Sequence, residues 1–407
     1  MKNIIVGQSG GPTAVINSSV VGVYEEAKKL GINKVYGMVH GIEGFLNDNI
    51  IDLDKYLSDN NNIELLKRTP SAFLGSCRYK LPKIEGNEEV YEKIFKILEK
   101  HEIDALFYIG GNDSMDTIKM LSDYAKEHNK KQKFMGIPKT IDNDLPITDH
   151  CPGYGSAAKY IAASLKEIIR DNASFGVVKP TVCIVEIMGR HAGWLTAAAA
   201  LAKDDTCEGV DAIYLPEVDF DLDKFVSKVK DLASKKSSVV IAVSEGIKTS
   251  DGKFVCELNS TDRKLDAFGH KQLSGCASTL ASIIANETGL KTRAIEFSTL
   301  QRAATHLASL TDIKEAVKVG KRAVKEAVKG NTGMMVVIKR KFGKYSSTTG
   351  VYDIHNIANV EKKVPIEWID TKNNQLKKEY IEYARPLILG ELLPIFKDGL
   401  PVHLIRK

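Results

Sequence analysis

The chain has 407 residues, 43% hydrophobic and 27% charged, with a formal net charge of +5. The length is too great for one hydrophobic core and implies two or three domains. The apolar and charged fractions are those of an ordinary soluble globular protein, and the mild basic balance lacks the footprint of a nucleic-acid binder.

"NIIV" (Asn3–Val6) reads as a short buried strand. "GQSGGP" follows it, then a helical run from Thr13 to Leu30 with Gly31 as its stop. "KVYGMV" begins the next strand, and "ALFYI", "KFMGI", "TVCIVEI" and "VVIAVS" are further short apolar runs flanked by helical patterns. This alternation predicts parallel α/β sheets. Late in the chain, Asp312 and Glu315 have the spacing of a capping box. Ile313, Ala316, Val317, Gly320, Ala323, Val324, Ala327 and Val328 trace one helical face ending at Gly330. "KRKFGKYSSTTG" (Lys339–Gly350) is the most loop-like stretch and reads as a solvated loop. No linker of low complexity separates domains, so they are expected to interleave.

The six cysteines, Cys77, Cys151, Cys183, Cys207, Cys256 and Cys276, form no C-x-x-C pair. Their irregular spacing argues against zinc and against a disulfide framework, and reduced thiols of a cytosolic enzyme are expected. The nine histidines show no H-x-x-x-H pattern, so no transition-metal site is expected. "MKNIIVG" is already strand-like, which leaves no room for a signal peptide. No apolar run approaches the ~18 residues of a membrane span. The expectation is a cytoplasmic protein without nucleic-acid or membrane partners.

Ligands of open α/β sheets bind beyond the carboxyl ends of the strands. Five such ends carry glycines or charges: Gly7–Gly11, Gly110–Ser114, Pro138–Asp144, Met188–Arg190 and Glu245–Gly246. Singly each is weak. "GQSGG" also fits a tight turn with no ligand, and Asp113 in "GGNDS" also fits a helix cap. "PKTIDND" is harder to dismiss. Asp142 and Asp144, beside Lys139 and Thr140, suit proton abstraction next to an anion, although a run of Asx turns would give the same pattern. Arg78, Arg293 and Arg302 suit bidentate phosphate recognition or surface ion pairs. A dinucleotide oxidoreductase is disfavoured: "GQSGGP" is not G-x-G-x-x-G, and no acidic residue ends "KVYGMV".

In this order, "GQSGGPTAVIN", "FLGSCR", "GGNDS", "PKTIDND", "VEIMGRHAGWL", "VSEG", "GHKQLSG" and "KTRAIEFSTLQR" resemble the phosphofructokinase family. The match covers roughly the first three-quarters of the chain; the rest, with "EYIEYARPLILGE", looks like the C-terminal extension of longer pyrophosphate-type members. The resemblance implies two doubly wound Rossmann-like α/β domains with an interleaved chain and the active site in the cleft. Residues 1–154 with about 301–350 would bind the donor, about 155–300 the sugar phosphate, and about 351–407 would pack on both. It implies reversible phosphoryl transfer to the C1 hydroxyl of fructose 6-phosphate, with Mg²⁺ bridging the donor phosphates. A homo-oligomer, dimer or tetramer, is implied as well.

By resemblance Asp142 is the general base, flanked by Thr140, Ile141 and Asp144. Met188, Gly189, Arg190 and Glu245 would contact the sugar phosphate, and Arg293 and Arg302 its 6-phosphate. Gly11 and Arg78 would hold the donor side. ATP-using members carry glycine at the positions of Asp113 and Lys139; the Asp–Lys pair belongs to the pyrophosphate-dependent type. Asp113 would then stand in for the missing α-phosphate and repel ATP, while Lys139 would stabilise the transferring group. Asn112 stands where a metal-binding aspartate is frequent and can ligate through its carbonyl, without charge. Thr299 and Thr181 replace a histidine and an arginine of bacterial ATP-using enzymes, and Lys179 or the segment Tyr380–Arg385 would restore the charge. An ATP-dependent enzyme and a non-catalytic sugar-phosphate sensor are the competing readings.

Overall fold

The computed structural model describes residues 1–175, 179–258, 275–341, 343–357 and 360–406. The strands of its two larger sheets, in chain order, are β1 (Asn3–Gln8), β2 (Lys34–Met38), β3 (Ile50–Asp52), β4 (Ile103–Gly110), β5 (Lys133–Pro138), β6 (Thr181–Ile187), β7 (Ala212–Tyr214), β8 (Ser238–Ser244), β9 (Lys291–Glu296), β10 (Met334–Arg340) and β11 (Ser347–Asp353). The first sheet has the order β11-β10-β5-β4-β1-β2-β3, the second β7-β8-β6-β9. The second is parallel throughout. The first is parallel except at its edges, where β3 and β11 run antiparallel to their neighbours. β4 from Ala105 on and all of β6 are buried, as expected for apolar strands covered by helices on both faces.

The helix Ile16–Lys29 starts later than the apolar pattern suggested, after the turn that ends β1. It crosses the helix Leu310–Val328 at paired glycines. A Cβ on Gly22 would lie 2.2 Å from the Val317 carbonyl oxygen, and one on Gly320 2.3 Å from that of Ser19. The buried face of Leu310–Val328 uses Val319 rather than Val317, and Val328 is exposed. Its N-cap is Ser309, whose hydroxyl accepts from the Asp312 amide, so the expected Asp312–Glu315 capping box is replaced. Both carboxylates are buried and serve other elements. Asp312 accepts from the Gly153 and Ser156 amides at 2.9 and 2.8 Å, capping the helix Tyr154–Ala173. Glu315 bonds His150.

The stretch 339–350 is no simple loop. Its two ends belong to the β10–β11 hairpin, Arg340 forms a bidentate pair with Asp149, and the Tyr345 hydroxyl donates to Glu315 at 2.7 Å. The chain after β11 returns across the second sheet. Tyr380, Ala384 and Leu387 enter one buried cluster with the helix Tyr154–Ala173 and the β6 side chains Cys183, Val185 and Ile187. Trp194 packs against Trp368 and Tyr383, with ring centroids 6.1 and 5.3 Å apart. All six cysteines are free, and among the described residues no helix is long and apolar enough to cross a membrane.

Candidate active site

The turns after β1, β4 and β5 meet because those strands are neighbours in one sheet. The Ser9 amide donates to Ile109 and the Lys139 amide to Gly110, which ties the three strand ends together. A Cβ on Gly110 would overlap the Ser114 hydroxyl at 1.8 Å, so glycine there allows the helix Asn112–Glu127 to start immediately. Gly10 adopts φ 72°, which swings the next carbonyl toward the cleft. The Lys139 ammonium donates to that Gly11 carbonyl at 2.6 Å and is itself buried. A Cβ on Gly11 would lie 3.1 Å from Arg302, so Arg302 closes the other side.

The loop after β5 holds the carboxylates. The Asp142 amide donates to the Thr140 hydroxyl at 3.0 Å, and that hydroxyl lies 3.5 Å from the Asp142 carboxylate. Ile141 turns into the core. The Asn112 amide group donates to Asp144 at 3.3 Å, and the other oxygens, Asn112 Oδ1 and Asp144 Oδ1, are buried with no hydrogen-bond partner among the described residues. Burial raises Asp142, against the pull of Lys139 and the Thr140 hydroxyl. Burial and the adjacent Asp142 charge push Asp144 up to about 7, and Glu361 adds to this. Burial brings Lys139 down to about 8, partly countered by Asp142. Arg302 is lowered by burial and by neighbouring Arg78.

The second sheet supplies the opposite wall. Gly189 adopts φ 146°, and its amide donates to Glu245 at 3.3 Å. Burial pushes Glu245 up to about 7, and the charge of Asp142 contributes, which places the two carboxylates within electrostatic reach across the cleft. The Met188 amide donates to Gln301, next to Arg302. Arg190 stacks over Phe254 with its guanidinium 5.5 Å from the ring centroid. Asp113 lies in the first turn of Asn112–Glu127, half exposed, with Lys80 at 3.9 Å.

Three expected residues do not join this cluster. Arg293 pairs with Asp171 at 3.2 Å and stacks on Phe175 at the open edge of the second sheet, where β9 lies. Tyr380 is fully buried, its hydroxyl 2.7 Å from that of Tyr154 and 3.2 Å from the Trp194 carbonyl. Arg385 donates to the Leu201 and Lys203 carbonyls. Within this chain the segment Tyr380–Arg385 packs against Tyr154, Trp194 and the Leu201–Lys203 backbone. "GHKQLSG", apart from Gly275, lies outside the described residues.

The sequence reading missed the groups behind the loop. His150 is buried between Asp149 at 2.7 Å and Glu315 at 2.6 Å. Burial alone would lower it, but the two carboxylates push it up to about 9. The His150 and Arg340 charges hold Asp149 well below the usual carboxylate range despite its burial. Lys362 donates its amide to the Asp144 carbonyl at 2.6 Å and its ammonium to the carbonyls of Thr148 and Asp149. Apart from the adjacent Asp149–His150 contact, these pairings join residues more than 150 positions apart, so no sequence signal announced them.

The phosphofructokinase family profile matches residues 3–327. A pyrophosphate–fructose 6-phosphate 1-phosphotransferase of Methylococcus capsulatus is 40% identical over 98% of this chain and 94% of its own. Its counterpart in Xanthomonas campestris is 41% identical over all of this chain and 96% of its own. Among solved structures, a pyrophosphate-dependent phosphofructokinase of Nitrosospira multiformis superposes with a TM-score of 0.89 at 39% identity, over 99% of this chain and 96% of that one. With the motifs that follow β1, β4, β5, β6 and β8 at the strand ends of its two larger sheets, the chain belongs to the phosphofructokinase family.

Proposed function

We propose that this chain is a pyrophosphate-dependent 6-phosphofructokinase, transferring a phosphoryl group reversibly from pyrophosphate to the C1 hydroxyl of fructose 6-phosphate to give fructose 1,6-bisphosphate. The observation that carries the donor choice is the buried Lys139 ammonium, fixed on Gly11 beside Asp142, with Asp113 at the start of the neighbouring helix. The names of the similar proteins from Methylococcus and Xanthomonas support it.

In this reading Asp142 accepts the proton of the C1 hydroxyl as that oxygen attacks the outer phosphorus of pyrophosphate. The bond from that phosphorus to the bridging oxygen breaks, and orthophosphate departs. Lys139 neutralises charge on the transferring group, worth most because the ammonium is already desolvated and oriented. Gly11 and Arg78 line the donor side; Thr140, Ile141 and Asp144 fix the reacting loop; Met188, Gly189, Arg190 and Glu245 receive the sugar phosphate, and Arg302 its 6-phosphate. The buried oxygens of Asn112 and Asp144 that find no partner among the described residues fit a hard divalent cation. Asn112 and Asp144 would hold Mg²⁺, which would supply positive charge against that of the donor phosphates.

The donor unit is assigned to residues 1–154 with about 301–350, the sugar unit to about 155–300, and the extension to about 351–407; the return of β10 and β11 to the first sheet supports this. Arg293, at the open edge of the second sheet, suits the 6-phosphate of a neighbouring copy, in keeping with a homodimer or homotetramer. A cytoplasmic location goes with these substrates. The test is donor choice: purified protein with fructose 6-phosphate and Mg²⁺ should form the bisphosphate with pyrophosphate and barely with ATP. Turnover with ATP alone would establish the ATP-dependent reading, and none with either donor the sensor.

A further inference from the structure

Between the two carboxylates of the reacting loop lies Asn143, fully buried and in the left-handed region at φ 55°. A short polar side chain tolerates that conformation when it finds local partners. Its Oδ1 accepts from the Cys151 amide at 2.9 Å, and its Nδ2 donates to the Tyr383 hydroxyl at 2.8 Å. The same hydroxyl donates to the Asp149 carbonyl at 2.8 Å. One phenol thus joins both ends of the loop that carries Asp142 and Asp144. Tyr383 is itself held hard: its ring packs on Trp194 and Trp368, and Arg340 stacks on it at 4.9 Å while donating to its carbonyl at 3.0 Å.

We propose that Tyr383 and Asn143 are positioning residues for the reaction, with the C-terminal segment setting the reach of the Asp142 carboxylate through this hydrogen-bonded brace. The proposal rests on the reading of Asp142 as the base. Neither residue touches a reacting atom. Because Asn143 is flanked by Asp142 and Asp144, any rotation of its backbone displaces both carboxylates together. A displacement near 1 Å at a reacting group can cost about 100-fold in rate. The brace also explains why a segment lying outside the family profile, which ends at residue 327, packs behind the loop.

The test pairs Tyr383→Phe, which keeps the packed ring and loses only the hydroxyl, with Asn143→Gly, which keeps the positive φ and loses the amide. In folded protein each should lower kcat with pyrophosphate about 10- to 100-fold, with KM for fructose 6-phosphate within about twofold of wild type. The double variant should lose no more than the worse single variant, since both cut one brace. Hydrogen exchange at the Cys151 amide should quicken in both. A variant that keeps the wild-type kcat, or losses that multiply, would overturn the proposal. If the wild-type protein itself failed to turn over, the base assignment would fall; unchanged exchange at Cys151 would then overturn the brace on its own.

Discussion

Replacing Asp113 by glycine should open the site to ATP, and the size of the effect follows from where Asp113 sits. Two unit charges about 4 Å apart repel by roughly 1 kcal/mol in bulk water and roughly 4 kcal/mol at an effective dielectric near 20. The Asp113 side chain is 55% exposed and lies 3.9 Å from the Lys80 ammonium, itself 56% exposed. Water and Lys80 both weaken its field, so the repulsion of an α-phosphate belongs in the lower half of that range. That is about one to two decades in affinity. The assay is kcat/KM for pyrophosphate and for ATP in wild type, Asp113→Gly and Asp113→Asn. Glycine should raise the ATP value about 10- to 100-fold, by removing charge and bulk. Asparagine should recover only the part due to charge. Salt near 1 M should narrow the wild-type preference, because the screening length there falls to about 3 Å, shorter than the ~4 Å separation. Lys80→Ala should sharpen it. An ATP value unmoved by both Asp113 variants would refute the reasoning and place the discrimination elsewhere in the donor pocket.

Asp142→Asn should cut kcat by about 10²- to 10⁴-fold while fructose 6-phosphate still binds, as measured by calorimetry; loss of binding with intact single-turnover chemistry would contradict its role as base. The free enzyme should show a narrow bell in kcat/KM, falling below about 7, where Asp144 and Glu245 take up protons, and above about 8, where Lys139 loses its charge. Lys139→Arg should move the alkaline limb up, since arginine does not titrate there, and an unmoved limb would exclude Lys139 as its source. His150 is raised from 6.5 to about 9 on folding, so its contribution to stability is complete below about 6.5 and is lost as pH rises through 9. That shift corresponds to roughly 3 kcal/mol. Thermal melting of wild type against His150→Gln should converge across that window, and parallel curves would contradict the buried ion cluster.

"GQSGG", "GGNDS", "PKTIDND", "IMGR" and "VSEG" were legible because each lies within a few residues of a strand end, where chain topology alone delivers it to the cleft. "GQSGG", "GGNDS" and "PKTIDND" follow adjacent strands of one sheet, so local sequence fixed their chemistry and sheet order brought them together. The alternation of apolar runs and helical patterns likewise determined the α/β class. The edge strand β11 was not legible, since Ser347–Asp353 carries little apolar pattern, and its pairing with β10 depends on a tertiary partner. Asp312 and Glu315 had the spacing of a helix cap, yet burial against Gly153, Ser156 and His150 gave them better partners than their own helix end. Tyr380, Arg385 and Tyr383 lie within six residues of one another, and only packing decided among them. Tyr380 points into the core and Arg385 to backbone carbonyls, while Tyr383 reaches the loop of Asp142. Sequence determines which groups can do the chemistry, because that is written in residue type and short spacing. The tertiary structure decides which are oriented to do it, because the contacts that hold them include partners far away in the chain, such as Gly11 for Lys139 and Tyr383 for Asn143.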